Sequence, residues 1–308
     1  MGENEGGMTG GGIAAWAGER VDRCLARARP EWSRADVESA VREGRVRVDG
    51  RTERSKGRRL AGGERIEVEA PPAPAVECRL SSVEVLYEDE DVVAVNKPAG
   101  VPTQPVRAGE RGTLSQAMLL RWPELSWGGA DGAGAVLHRL DIGTSGVVLA
   151  ARHRDAWQAL RAQFRAQTVE KHYWAVVEGR AEAGESRLPL THAQRSPCRM
   201  RVVGIDARGR LDARDDILPA ATRWTPLRTG PDWTWLDVCI RSGVTHQIRC
   251  HLSSAGHPLL GDALYGGHGE DGCFYLHSRS ITWRGTDGHP RLVLAEPPPE
   301  FWARVGGQ

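Results

Sequence analysis

Between residues 70 and 77 the chain reads APPAPAVE, and nothing else in it limits the fold so strongly. Proline fixes its own φ and carries no N–H, so this stretch can neither continue a helix nor donate to a central strand. A 308-residue chain interrupted there is expected to form two units, over 20–70 and 82–305, joined by a linker at 71–81. Ahead of them, MGENEGGMTGGGIAAWAGE is glycine-rich and acidic where a secretory signal is basic and then apolar. Residues 1–19 are therefore expected to be a disordered tail on a cytoplasmic protein. No later apolar run reaches the length that spans a bilayer.

The formal charge is only +1, which a basic face can still underlie. Its distribution is uneven: residues 20–69 hold 14 basic against 10 acidic side chains. Within them Val21, Leu25 and Ala28 lie at helical spacing, Pro30 ends that turn, and Ser33 with Asp36 can cap a second helix that stops at Gly44. RVRVDGR alternates through Val46 and Val48 into an Asp49-Gly50 turn, and RIEVE alternates again through Ile66 and Val68. Two helices and a short sheet are expected. The segments RVDRCL, SRADVESAVREGRVRVDG and LAGGERIEV resemble the S-four type RNA-binding domain. The resemblance implies a small α/β unit that tracks folded RNA with one basic side, which places Arg34, Arg42, Arg45 and Arg47 near phosphates.

The larger unit opens on VEVLYEDEDVVAVNKPAG, two alternating strands through Val83, Val85, Val93 and Val95 around an acidic turn. TLSQAMLLRW reads as a helix capped by Thr113, and RDAWQALRAQF as an amphipathic helix with Trp157, Leu160 and Phe164 on one side. VLHRLD and GVVLAAR read as strands flanking an IGTSG turn, KHYWAVVEG and WTWLDVCI as further strands, and THQIRCHLSSAG as a helix stopped at Gly256. The expected class is α+β, a mixed and largely antiparallel sheet with flanking helices.

Several chemistries find no support in the residues. The six cysteines include no C-x-x-C pair. His246 and His251 lie five apart with no third ligand at useful spacing, so no metal site is expected. Ser145 stands in T-S-G and not in a G-x-S-x-G elbow. What remains is VLHRLDIGTSG at 136–146, where a carboxylate follows a buried-looking leucine and the chain turns at once. A charge in that position is costly unless it is used.

HRLDIGTSG is similar to the signature of RluA-type pseudouridine synthases, and NKPAGVP (96–102), KHYWAVVEG (171–179) and SGVTHQIRCHLSSAGHPLLGDALYG (242–266) continue the resemblance in the family's order. It implies an enzyme that cuts the glycosidic bond of uridine in structured RNA, in large-subunit ribosomal RNA or transfer RNA, rotates the uracil and rejoins it through carbon 5. Nothing is added or removed, so no cofactor is implied. Asp141 is the implied catalytic carboxylate, acting either as nucleophile or as the base that removes a sugar proton. Arg249 is the implied cation beside it, Tyr173 the group that stacks on the target base or exchanges a proton with it, and Arg139 the side chain that fills the gap left by a flipped base. Lys97 is expected to line the RNA cleft, and the protein to work as a monomer. The match departs from the family at Val244, where arginine is usual, and at Gln104, where histidine is common. A non-catalytic RNA-binding or ribosome-assembly factor on the same fold is the alternative reading.

Overall fold

The structure, a computed structural model, describes residues 13–29, 37–38, 40–41, 44–68, 83–106, 110–129, 132–193, 196–204, 217–268 and 274–306. Residues 1–12 of the expected tail, the linker, Pro30, the cap by Ser33 and Asp36, and the phosphate contacts of Arg34 and Arg42 lie outside these residues, whereas 13–19 of the expected tail are described and join the fold, with Ile13–Ala14 in a strand and Ala15 buried. The chain divides into two compact units, Met1–Glu77 with Pro105–Arg111, and Cys78–Gln104 with Gly112–Gln308. No helix of the described residues is long and apolar enough to cross a membrane.

In the first unit, strands β1 (Ile13–Ala14), β2 (Val46–Val48), β3 (Arg51–Thr52) and β4 (Arg65–Val68) form a sheet in the order β1-β4-β2-β3. Helix α1 (Val21–Ala28) buries Val21, Cys24 and Leu25, and the core they join includes Val37, Ala40, Val41, Val46, Val48 and Ile66. The β2–β3 hairpin turns on Asp49 and Gly50, with φ of 49° and 74°. Both central residues are left-handed, as a tight two-residue turn requires, and an Asp-Gly pair accepts that conformation readily. Because β2 alternates buried, exposed, buried, Arg47 faces outward between Val46 and Val48; Arg45 just before it is half-buried.

The second unit is built on a nine-stranded sheet. Its strands are β5 (Glu84–Glu88), β6 (Val92–Lys97), β7 (Ser145–Ala151), β8 (Glu170–Glu178), β9 (Gly184–Ser186), β12 (Thr222–Thr229), β13 (Trp233–Ile240), β14 (Leu276–Arg284) and β15 (Pro290–Leu294). They run β5-β6-β7-β14-β8-β13-β12-β9, with β15 on β14. Only the β7–β14 pairing is parallel among the described strands. A separate hairpin pairs β10 (Leu190–Ala193) with β11 (Ser196–Val202). The α+β class and the mainly antiparallel sheet agree with the sequence reading.

All seven residues of β7 are buried, the mark of a central strand covered on both faces. On one face Val147, Leu149 and Ala151 meet Ala156 and Leu160 of helix α3 (Arg154–Arg165), together with Ile281 and Trp283. Each Val, Leu or Ile among them contributes about 1.5–3 kcal/mol by burial. Helix α2 (Leu114–Arg121) starts at Thr113, whose backbone N–H donates to Gln116 Oε1 at 3.2 Å. A second core gathers Val176, Trp233, Phe301 and Val305, with Trp174, Trp235 and Trp302 against it.

One expected strand is absent. VLHRLD is extended but makes only a single bridge, Val136 to Ala150, and Leu137 N–H still bonds Leu149 O at 2.9 Å. Beyond that point the chain leaves the sheet, so its last residues are free to form the loop that carries Asp141.

Candidate active site

The loop is fixed by its neighbours before any charge is considered. Thr103 Oγ donates to Leu140 O at 2.9 Å and accepts from Leu140 N–H at 3.1 Å. Asp141 O receives Thr144 N–H at 3.0 Å, and Ile142 O receives Gly100 N–H at 2.8 Å. Gly146 has φ of 112°, and a Cβ there would stand 2.2 Å from Ser278 O, so only glycine admits the parallel approach of β7 to β14. Gly143 serves differently: a Cβ would meet the Phe274 ring at 2.7 Å. The hydroxyls of this turn do not tie it locally. Ser145 Oγ instead reaches His277 Nδ1 at 2.8 Å, and Thr144 Oγ is buried without a hydrogen-bond partner.

Lys97 does not line a cleft. It is fully buried, and its Nζ donates to Val101 O at 2.6 Å, Pro98 O at 3.0 Å and Ile142 O at 3.2 Å. The expectation that it contacts RNA is corrected: the ammonium closes the NKPAGV turn onto the residue after Asp141 and presents nothing to solvent. Burial pushes it down to about 7, against the pull of the Asp141 charge.

Arg249 lies on helix α4 (Gln247–Ser254), which the sequence places by a polar knot. Gln247 Oε1 accepts from Ser242 Oγ at 2.9 Å and Val244 N–H at 3.2 Å, and its amide donates to Ala221 O at 2.9 Å and Thr222 Oγ at 3.0 Å. The guanidinium of Arg249 donates from Nε and Nη2 to the two oxygens of Asp262, at 2.7 and 2.8 Å, and from Nη1 to Asp141 Oδ2 at 3.1 Å. Its plane packs over the Phe274 ring, 4.3 Å from the centroid. Burial opposes the charge, but Asp262 and then Asp141 outweigh it and hold the guanidinium above its ordinary value. Asp262 is itself almost fully buried.

His246 is the residue that sequence reasoning missed. It takes the left-handed conformation, φ 54°, at the start of α4. Its Nδ1 is 3.0 Å from Tyr265 Oη, which accepts Met200 N–H at 2.9 Å. In the tautomer in which the phenol donates to Nδ1, Nε2 carries the imidazole hydrogen; Nε2 lies 3.9 Å from Asp141 Oδ2. Burial lowers the imidazole below its usual value, with Asp141 pulling the other way. The triplet T-H-Q gave no such signal, because its role comes from a backbone conformation. His251 points elsewhere, to Thr222 Oγ and Leu188 O, both at 2.8 Å.

Tyr173 sits on β8 opposite Ser278, which pairs on its other side with Gly146 at the end of the Asp141 turn. Burial pushes its phenol well above the ordinary value, and the Asp141 charge acts in the same direction. It therefore stays protonated at neutral pH. Arg139 is exposed two residues before Asp141. His138 is structural: it stacks on Phe164, accepts Leu149 N–H at 3.2 Å, and is pushed by burial down to about 3. Asp141 and Arg249 thus come together with Asp262 and His246, and Tyr173 is near enough for the Asp141 charge to act on it. Arg45 and Arg47 belong to the other unit.

The site is thus a partly open carboxylate held by a buried guanidinium, in the unit built on the mainly antiparallel sheet. Residues 91–254 match the family model described as RNA pseudouridylate synthase, and residues 19–66 match that of the S4 domain. The chain belongs to the RNA pseudouridylate synthase family and is an enzyme of that family. It is 39% identical to an uncharacterized RNA pseudouridine synthase of Chloroflexus aurantiacus, over 80% of this chain and 75% of that one. It is 35% identical to the ribosomal large subunit pseudouridine synthase D of Xanthomonas campestris pv. campestris, over 82% and 72%. Among solved structures, human RNA pseudouridylate synthase domain containing 4 shares the fold, with a TM-score of 0.59 at 20% identity over 73% of this chain and 94% of that one.

Proposed function

We propose that this enzyme isomerises uridine in large-subunit ribosomal RNA, with Asp141 as the reacting carboxylate. The observation that supports this most directly is the pairing of Asp141 with a guanidinium held on its other edge by Asp262, which orients one carboxylate oxygen and leaves the other uncommitted to Arg249. The target is taken from the name of the 35% identical Xanthomonas relative, and residues 20–70 and 82–305 are the units assigned to RNA binding and chemistry.

In this reading Arg139, exposed beside the site, fills the space of the uridine that leaves its stack. Arg249 aims Asp141 through the hydrogen bond from Nη1 to Oδ2. Asp141 then attacks the nucleotide or removes a sugar proton, the bond from N1 to C1′ breaks, the uracil turns, and a bond from C5 to C1′ forms as the C5 hydrogen is lost. Tyr173, kept protonated, packs against the base and can return a proton. Arg34, Arg42, Arg45 and Arg47 supply phosphate contacts from the small unit, whose share in binding appears as the salt slope of RNA affinity.

RNA carrying tritium at carbon 5 of uracil tests the assignment. Wild-type protein releases tritium to water from a large-subunit ribosomal RNA transcript, and Asp141→Ala releases none. Equal release by both proteins removes Asp141 from the chemistry, and release from transfer RNA alone moves the target.

A further inference from the structure

Strand β8 turns its side chains alternately toward the Asp141 site and away from it. Lys171 and Tyr173 are buried, while Glu170 and His172 are half-exposed. The adjacent strand β13 has the same alternation, with Asp237 and Cys239 half-exposed, and Cys239 stands directly opposite His172. Successive residues of a strand point to opposite faces, so these four donors share a patch on the side of β8 away from Tyr173.

The donor atoms of Glu170, His172 and Cys239 all lie within 4.8 Å of one another. His172 Nδ1 is 2.9 Å from Asp237 Oδ2, and Nε2 is 3.2 Å from Glu170 Oε1. Carboxylates face both nitrogens, so an ion that takes Nε2 displaces the proton shared with Glu170, while Nδ1–H stays donated to Asp237 and holds the ring in place. That is how an outer carboxylate orients a metal-ligating histidine. Arg241 occupies Glu170 Oε2 at 2.8 Å and leaves Oε1 available.

We propose that Glu170, His172 and Cys239 form a binding site for one divalent transition-metal ion of the zinc class, with Asp237 as the outer carboxylate that fixes the imidazole. A mixed set of sulfur, nitrogen and oxygen suits a borderline-soft ion, whereas magnesium and calcium take oxygen ligands. Zinc bonds of about 2.0–2.3 Å place tetrahedral ligands roughly 3.3–3.8 Å apart, so half-exposed side chains close the site by moving about 1 Å. The fourth position falls to water. The ion cross-links β8 to β13 behind Tyr173.

The test uses the full chain, stripped with EDTA and titrated with Co²⁺ as the spectroscopic substitute for Zn²⁺. The expected result is a near-ultraviolet thiolate-to-cobalt band that saturates at one equivalent, is displaced by Zn²⁺ and not by Mg²⁺, and is lost in Cys239→Ser and His172→Gln. Asp237→Asn is expected to keep the band while weakening binding about 10–100-fold. Among the described residues Cys24 and Cys250 also carry thiols but are buried, and Cys239→Ser separates them from the site. Equal metal-free melting of the variants and wild type shows that their folds are intact. Absence of the band in the wild type overturns the proposal and leaves the cluster an ordinary ion-pair network. Survival of the band in Cys239→Ser overturns it equally.

Discussion

Two carboxylates share the guanidinium of Arg249, and they are held differently. Asp262 takes two hydrogen bonds and its side chain is 1% exposed; Asp141 takes one and is 23% exposed. A bidentate buried pair is fixed in orientation and shielded from substrate. A single bond on a partly exposed side chain leaves lone pairs of Asp141 free. The contrast supports the proposed division, position for Asp262 and reaction for Asp141, although both are aspartates bound to the same arginine.

Substitution at the two positions is the most direct way to break that contrast. Asp141→Asn keeps the shape and removes the charge, so pseudouridine formation is expected to fall by at least about 10³-fold while the melting temperature barely changes. Asp262→Asn is expected to do the reverse in stability. Removing one partner of a buried ion pair costs about 3–5 kcal/mol, read as a lower urea midpoint with unchanged slope. A stability loss at Asp141→Asn equal to that at Asp262→Asn erases the distinction.

Arg249→Met tests the shared cation. It leaves Asp262 buried without its counter-ion, so a loss of about 3–5 kcal/mol is expected, with activity lost as well. The double variant Arg249→Met with Asp262→Leu removes the stranded charge and is expected to recover much of the stability and none of the activity. Recovery of activity would show that Asp141 needs no cation beside it.

Much of this was legible in the sequence because it is local. The Asp49-Gly50 turn, the alternation of β8 and β13 and the glycines after Asp141 are written in neighbouring residues. So was the resemblance that joined Asp141, Tyr173 and Arg249; the structure pairs Arg249 with Asp141 and sets Tyr173 on β8 across Ser278 from the end of the Asp141 turn. Contacts across the fold were not legible. Asp262 lies 13 residues beyond Arg249, past a loop, and nothing in LLGDALYG marks it as that arginine's main partner. Lys97 reads as a surface side chain because lysine usually is one; its burial depends on three carbonyls from two segments. VLHRLD has strand composition, yet its end is drawn off the sheet by Thr103 and by the turn that aims Asp141.

Lys97 supplies a pH test of how the Asp141 turn is held. Its value falls from 10.5 in an ordinary setting to about 7 in the fold. Between those limits the unfolded chain binds the proton that the folded chain has released, so stability rises with pH. The expected slope approaches about 1.4 kcal/mol per pH unit and is absent in Lys97→Met. Lys171, pushed by burial down to about 8, adds a similar rise above that pH, so the difference between wild type and variant is the quantity that reports Lys97. Parallel curves would show that Lys97 keeps its ordinary affinity for the proton in the fold.

The smallest effect is expected at His246, and it sharpens the contrast between aiming a carboxylate and using it. Its Nε2 stands 3.9 Å from Asp141 Oδ2, too far for a hydrogen bond in the resting site but near enough to form one once Asp141 moves onto substrate. His246→Gln keeps a donor there, and His246→Ala removes it. If the imidazole only supports Asp141 during reaction, Ala is expected to lower kcat by about 10–100-fold with KM unchanged, and Gln to restore most of that loss. A rise in KM at constant kcat would instead place His246 in binding RNA, and it would leave Arg249 as the sole group that aims Asp141.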